Sequence, residues 1–210
     1  MLRLSLLGEG GSDVVLLEPL SWLLRRDSAV GDFRITRTDF GLLPNPPRTL
    51  AERVSRSFEV DAPDILLIHR DNDGEPIGAR EDEILRASRA LPLCVPVVPV
   101  ITSETWFLFD EMALRRAAGS TDVSIPLSLP RLRELESVKR PKVLLRDSLQ
   151  VASGLSGKRL SKFNWRAAYH RLARTITDFE PLLELPAFGR TADALAAAVR
   201  QSSTHGGKIR

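Results

Sequence analysis

The chain of 210 residues is long enough for one domain with a sizeable core, and 43% hydrophobic against 27% charged residues is the balance of a folded globular protein. Its net charge of +3 conceals an uneven distribution: residues 131–210 hold 16 Lys and Arg against 7 Asp and Glu, whereas residues 1–130 hold 14 against 20. The single cysteine, Cys94, excludes an intrachain disulfide framework and a cysteine-built zinc site, and no apolar run nears the ~18 residues that suggest a membrane span.

Leu2–Leu7 is a short apolar run that reads as a buried strand. No basic stretch or small-residue cleavage site accompanies it, so no signal peptide is expected and a reducing cytoplasm is the expected setting. Gly8-Glu9-Gly10-Gly11-Ser12-Asp13 then forms a tight turn. Ser12 or Asp13 is suited to cap a helix whose stripe, Val14, Leu17, Leu20 and Leu24, runs to Arg26, with Pro19 delaying or bending it. Phe33–Thr38 alternates as a second strand, and the proline-rich loop Gly41–Arg48 leads to a helix over about Thr49–Phe58. Asp64–His69 is the clearest buried strand. Arg80–Ala90 is amphipathic, and Val95–Ile101 is a strand that Pro96 and Pro99 demote to an edge or irregular one. Cys94 lies in this apolar stretch and reads as a buried structural thiol. Thr105–Ala118 reads as a helix.

Strands alternating with helices in this way predict an α/β fold with a mainly parallel sheet flanked by helices. The core is expected over residues 1–118. A basic, mainly helical extension follows over 119–200, with a loop at Ile125–Pro130, helices at Pro141–Ala152, Asn164–Phe179 and Thr191–Arg200, and a basic loop at Gly154–Lys162. Residues 201–210 are polar and without periodicity, and are expected to be a disordered tail.

In parallel sheets ligands bind beyond the carboxyl ends of the strands, and that is where the acidic residues fall. Glu9 follows strand one, in a turn whose glycines let a phosphate or a metal-bound water approach the backbone. Asp71 and Asp73 follow strand three; in an extended segment their side chains point the same way and can converge on one ion. Glu104 follows strand four and opens a helix. Each has a plainer reading: a solvent-facing turn for Glu9, an Asx turn closed by Gly74 for the aspartates, and a favourable helix-dipole position for Glu104. Four such carboxylates at one sheet edge would repel one another unless a cation balances them, which points to Mg²⁺ with Mn²⁺ as a substitute. An EF-hand is excluded, because the position of its essential glycine falls on Pro76. No GxGxxG or P-loop motif is present.

Glu-Gly-x-x-Asp after strand one, Asp-x-Asp after strand three and Ser-Glu-x-Trp after strand four resemble the Toprim fold. The likeness is to the Toprim-like DUF4276 proteins and, more distantly, to the Toprim nuclease domain of OLD-family proteins. It covers residues 1–118 and extends less sharply to Pro141-Lys142 and Lys158–Asn164. The resemblance implies an acid/base or metal role for Glu9, metal binding by Asp71 and Asp73, and a further metal ligand at Glu104. The activity it implies is Mg²⁺-dependent hydrolysis of phosphodiester bonds in nucleic acid, expected to be DNA. A separately encoded ATPase as partner and a part in phage defence are further expectations drawn from the same likeness. Lys142 and Lys158 are then candidate catalytic cations, and Lys142, Lys158, Arg159 and Lys162 candidate phosphate contacts. The alternatives are a non-catalytic Toprim-like subunit of an ATPase-containing complex, and a small-molecule phosphatase or phosphotransferase. Tyr169 lies within an amphipathic helix and reads as a packing or surface residue rather than as a topoisomerase nucleophile. His69, His170 and His205 show no ligand spacing.

Overall fold

The computed structural model describes residues 1–41 and 43–206. In chain order it contains β1 (Leu2–Leu7), α1 (Leu17–Arg26), β2 (Phe33–Arg37), α2 (Leu50–Asp61), β3 (Ile65–His69), α3 (Ala79–Ala87), β4 (Cys94–Val97), α4 (Glu111–Ala118), α5 (Pro141–Ala152), α6 (Gly157–Ser161), α7 (Trp165–Thr175) and α8 (Pro186–Gly206). The four strands form one sheet in the order β2-β1-β3-β4, with every neighbouring pair parallel. The α/β architecture with a parallel sheet flanked by helices is as the sequence pattern predicts, and β4 with Pro96 is an edge strand.

Alternation along each strand sorts its side chains between two faces. Leu4 and Leu6, Ile65 and Leu67, and Val95 and Val97 join one apolar cluster. Leu7, Leu66, Ile68 and Val98 join the other, against Val54 of α2 and Ile84 of α3. Because both faces are covered, β3 is buried at all five positions and reads as a continuous apolar run. The first face carries α1, α4, α5, α7 and α8, whose Leu20, Leu114, Leu145, Leu172 and Val199 belong to the same cluster as the strands. The segment after residue 118 therefore packs into the core of the sheet.

Several elements differ from the sequence expectation, each for a local reason. The helix expected over Thr105–Ala118 is split into a 3₁₀ turn, Ser103–Phe107, and α4. Asp110 restarts the helix by accepting the Ala113 N–H at 2.8 Å. Arg115 of α4 is buried and donates to the carbonyls of Asp122 and Ile125, tying down the loop that follows. The fourth strand ends at Val97, short of the expected Ile101. The basic loop at Gly154–Lys162 contains the one-turn α6. The long helix from Asn164 stops at Thr175, and a 3₁₀ turn, Glu180–Glu184, intervenes before α8. That last helix begins at Pro186 and continues through residue 206, so the disordered tail is corrected for residues 201–206. Residues 207–210 lie outside the described part.

Candidate functional site

The strand order makes β1, β3 and β4 neighbours, so the turns that follow them share one edge of the sheet. Between β1 and β3 the connections depart in opposite directions, one to β2 and one to β4. In open parallel sheets this switch point is where a crevice forms.

The turn after β1 is organised by Asp13. It lies in a 3₁₀ turn, Gly11–Leu16, and its Oδ2 accepts the backbone N–H groups of Glu9 at 2.7 Å and Gly10 at 2.9 Å. The carboxylate is buried and folds back over Gly8, where an added Cβ would meet Asp13 Oδ2 at 2.6 Å. Gly8 is therefore required by close approach. Arg53 of α2 donates to the Gly8 carbonyl from the other side. Burial lowers the Arg53 pKa, Arg70 lowers it further, and the charges of Glu9 and Asp13 oppose the shift.

Glu9 itself is exposed and forms an ion pair with Arg70, the residue that follows β3. Arg70 also reaches Glu83 of α3 at 2.7 Å, and Glu83 holds Arg80 at 2.8 Å. Glu9 thus begins a chain of alternating charges that runs across the edge of the sheet.

Asp71 is held by two groups. Its Oδ1 accepts the Ser103 N–H at 3.0 Å and lies 3.3 Å from Nε2 of His69. His69 is buried, and its Nδ1 lies 2.8 Å from the Val97 carbonyl oxygen, so both ring nitrogens face acceptors. Burial opposes charging of the ring, but the hydrogen bond and charge of Asp71, the charge of Asp13 and the Val97 carbonyl outweigh it and raise the pKa.

Asp73 departs from the expected geometry. Its φ of 51° lies in the left-handed region, and the N–H groups of Asn72 and Asp73 both bond to the Ile101 carbonyl. The segment turns instead of remaining extended, so the alternation expected to align Asp73 with Asp71 is lost. The Asp73 side chain is exposed and makes no ion pair among the described residues.

Glu104 lies in the 3₁₀ turn after β4 and is 4% exposed. Lys142, in the first turn of α5, approaches its Oε1 at 3.9 Å. The remaining basic candidates are not gathered here. Lys158, Arg159 and Lys162 sit at α6 and just after it, beyond the far end of the 12-residue α5, a helix ~18 Å long. All three are exposed and unpaired with any acid among the described residues.

The edge therefore gathers Glu9, Asp71 and Glu104 from the expected set, and adds Asp13, His69, Arg53, Arg70 and Tyr169. The expected mutual repulsion is offset from within by Arg70 and Lys142. Asp13 is legible in the sequence as a helix cap and as the last residue of the Glu-Gly-x-x-Asp motif, but not as the group that organises the turn. Arg70 carries no local signal, because its partner Glu9 is 61 positions away in the chain.

Of the packing and surface positions open to it, Tyr169 takes the packed one, edge to face on Phe107 at 5.2 Å. Burial first, and then the negative charges of Glu104, Asp71 and Asp13, raise its pKa well above the ordinary phenol value. Apart from the His69 imidazole, the donors at this edge are carboxylate and hydroxyl oxygens without sulfur, which suits a hard cation. Among the described residues no three His, Cys, Asp or Glu side chains converge as a preformed metal cage. Cys94 lies at the opposite end of its strand, and burial pushes its thiol up to about 11, as befits an inert packing residue. No described helix is long and apolar enough to cross a membrane. No protein family, curated protein or solved structure matches the chain.

Proposed function

We propose that the chain is a Toprim-like, Mg²⁺-dependent enzyme that hydrolyses phosphodiester bonds in nucleic acid, with DNA as the expected polymer. The observation that carries this reading is the adjacency of three acidic turns at the carboxyl ends of β1, β3 and β4. Among them, Glu104 is buried and met only at 3.9 Å by a lysine. Mg²⁺ is commonly held by one or two carboxylates while keeping several waters, so no complete protein cage is required. Asp71 and Glu104 are the donors best suited to hold it, with Asp13 beside them. When bound, the ion would polarise a phosphate oxygen and acidify a coordinated water.

The side chains supply the remaining work. A substrate phosphate competes for Arg70, and release of that guanidinium frees Glu9 to accept a proton from the attacking water. Lys142 is 59% exposed at its side chain and can turn from Glu104 toward charge developing on the phosphate. Lys158, Arg159 and Lys162 would hold the polymer further along its backbone.

Cleavage of single- and double-stranded DNA and RNA, with Mg²⁺ or Mn²⁺ and then with a chelator, tests the reading. Turnover is expected only with the metal. It is expected to be lost in Asp71→Asn and Glu104→Gln, and to fall about 10²–10⁴-fold in Glu9→Gln, the usual range for an acid–base group. Cleavage that survives chelation and all three substitutions would overturn the assignment. A second reading is favoured by the Glu9–Arg70–Glu83 chain, which neutralises the strand-one carboxylate. In it the chain is a non-catalytic Toprim-like subunit acting with a separately supplied ATPase. Nucleic-acid binding without cleavage, even with the ATPase present, would select it. A cytoplasmic setting and a part in phage defence extend either reading.

A further inference from the structure

The hydroxyl of Tyr169 is buried with no hydrogen bond of good geometry to any described group. The residue is 2% exposed, and its ring is fixed against Phe107, so the hydroxyl has little freedom to search for an acceptor. Ser103 lies close by, yet no well-formed hydrogen bond reaches the oxygen. A buried polar atom left unpaired is costly, and tyrosine hydroxyls in cores ordinarily find a partner. Three carboxylates act on the phenol. The helix that bears Tyr169, α7, packs against the turn that carries Asp13, and the charges of Glu104 and Asp71 also act on the phenol. Thr102 Oγ1, Thr105 Oγ1 and Asn72 Oδ1 are likewise buried and unpaired, on the two turns that carry Asp71 and Glu104.

Carboxylates offer only acceptors, whereas a neutral phenol offers one proton and can receive another. The group that completes such a set must donate hydrogen bonds and carry positive charge. Water bound to a divalent cation does both, because the ion polarises its O–H bonds.

We infer that Tyr169 is a positioning residue for a hydrated divalent cation, its hydroxyl receiving a hydrogen bond from a metal-bound water. This rests on the proposed Mg²⁺ site and deepens it. The helical part of the chain becomes a component of the site, and the ion keeps at least one water that no protein ligand replaces. Mg²⁺ suits the arrangement, since it gives up its waters reluctantly. Phenylalanine would fill the same space around the ring and leave that water without its acceptor.

The chain contains one tyrosine, so a sample labelled with ¹³C at the tyrosine ring carbon bearing the hydroxyl gives one resonance. Titration of wild type and Tyr169→Phe with Mg²⁺ by calorimetry, beside titration of the labelled wild type by NMR, tests the inference. The expected result is a Mg²⁺-dependent shift of that resonance and an affinity about 10–100-fold weaker in Tyr169→Phe, the usual effect of losing an outer partner. The metal-free variant is expected to melt no lower than wild type, because an unpaired hydroxyl has been removed. Equal affinities with an unmoved resonance would overturn the role of Tyr169 and leave the proposed function standing. No binding of Mg²⁺ or Mn²⁺ by wild type would overturn the metal site and this inference together.

Discussion

Arg70 binds two acids at once, Glu9 and Glu83. Of these, Glu83 is the better anchored, sitting between Arg70 and Arg80 at 2.7 and 2.8 Å. Burial acts to raise its pKa, but the two guanidiniums outweigh that and hold it below the ordinary 4.5. A carboxyl depressed in this way stabilises the folded state fully above about pH 4.5, and the contribution is lost as pH falls through the lower folded value. Thermal melts from neutral to acid pH are therefore expected to fall more steeply for wild type than for Glu83→Gln. Parallel curves would show that the pair adds nothing to stability. At this scale the acids are legible in the sequence, because each follows a recognisable buried strand. Their partners are not. Glu9 with Arg70 and Glu104 with Lys142 meet only through the strand order and the docking of α5, neither of which leaves a local pattern.

Among the elements, the turn after β1 is the most tightly specified. Gly8 admits no side chain because Asp13 Cβ lies 2.9 Å from where its own Cβ would be. Gly8→Ala is expected to push the 3₁₀ turn off the strand end and cost about 1–3 kcal/mol, the range for overpacking a close contact. Denaturant unfolding measures the loss, and the stabilisation conferred by Mg²⁺ should shrink with it; an unchanged midpoint would show that the turn yields freely. Strands are legible here from their apolar runs, and most helices from their stripes and caps. The helix expected from about Thr49 does begin there, with the Thr49 hydroxyl accepting the Glu52 N–H at 3.2 Å. The division of Thr105–Ala118 is hidden although Asp110-Glu111 is a cap signal, because the apolar residues on either side continue a helical spacing across it. The length of α8 is hidden for the opposite reason: its last residues are polar and carry no stripe.

At the scale of the whole molecule, most of the basic residues expected to hold a polymer are separated from the candidate site. Lys142 reaches the acidic edge, whereas Lys158, Arg159 and Lys162 stand past the other end of α5. A polymer that touches both must run along that helix. Changing the three distal residues to alanine is expected to weaken nucleic-acid binding and to reduce the slope of log affinity against log salt by roughly 0.9 for each duplex phosphate that they neutralise. An unchanged slope would assign those charges to solvent alone. The parallel sheet is legible as a class from the alternation of strands and helices, but the boundary near residue 118 is not a structural one. Apolar residues on both sides of it enter a single cluster, and composition alone cannot show that a basic segment also supplies core.

The seating of Tyr169 against Phe107 also has a consequence for synthesis. Translation delivers the chain from its amino terminus at roughly 5–20 residues per second, and Tyr169 emerges several seconds after Phe107. During that interval all four strands are available, yet the aromatic surface that α7 covers is open and the acidic edge lacks one of its walls. The nascent protein thus passes through a stage with its sheet outlined and its site unfinished. Maturation of the site is coupled to the arrival of the last third of the chain.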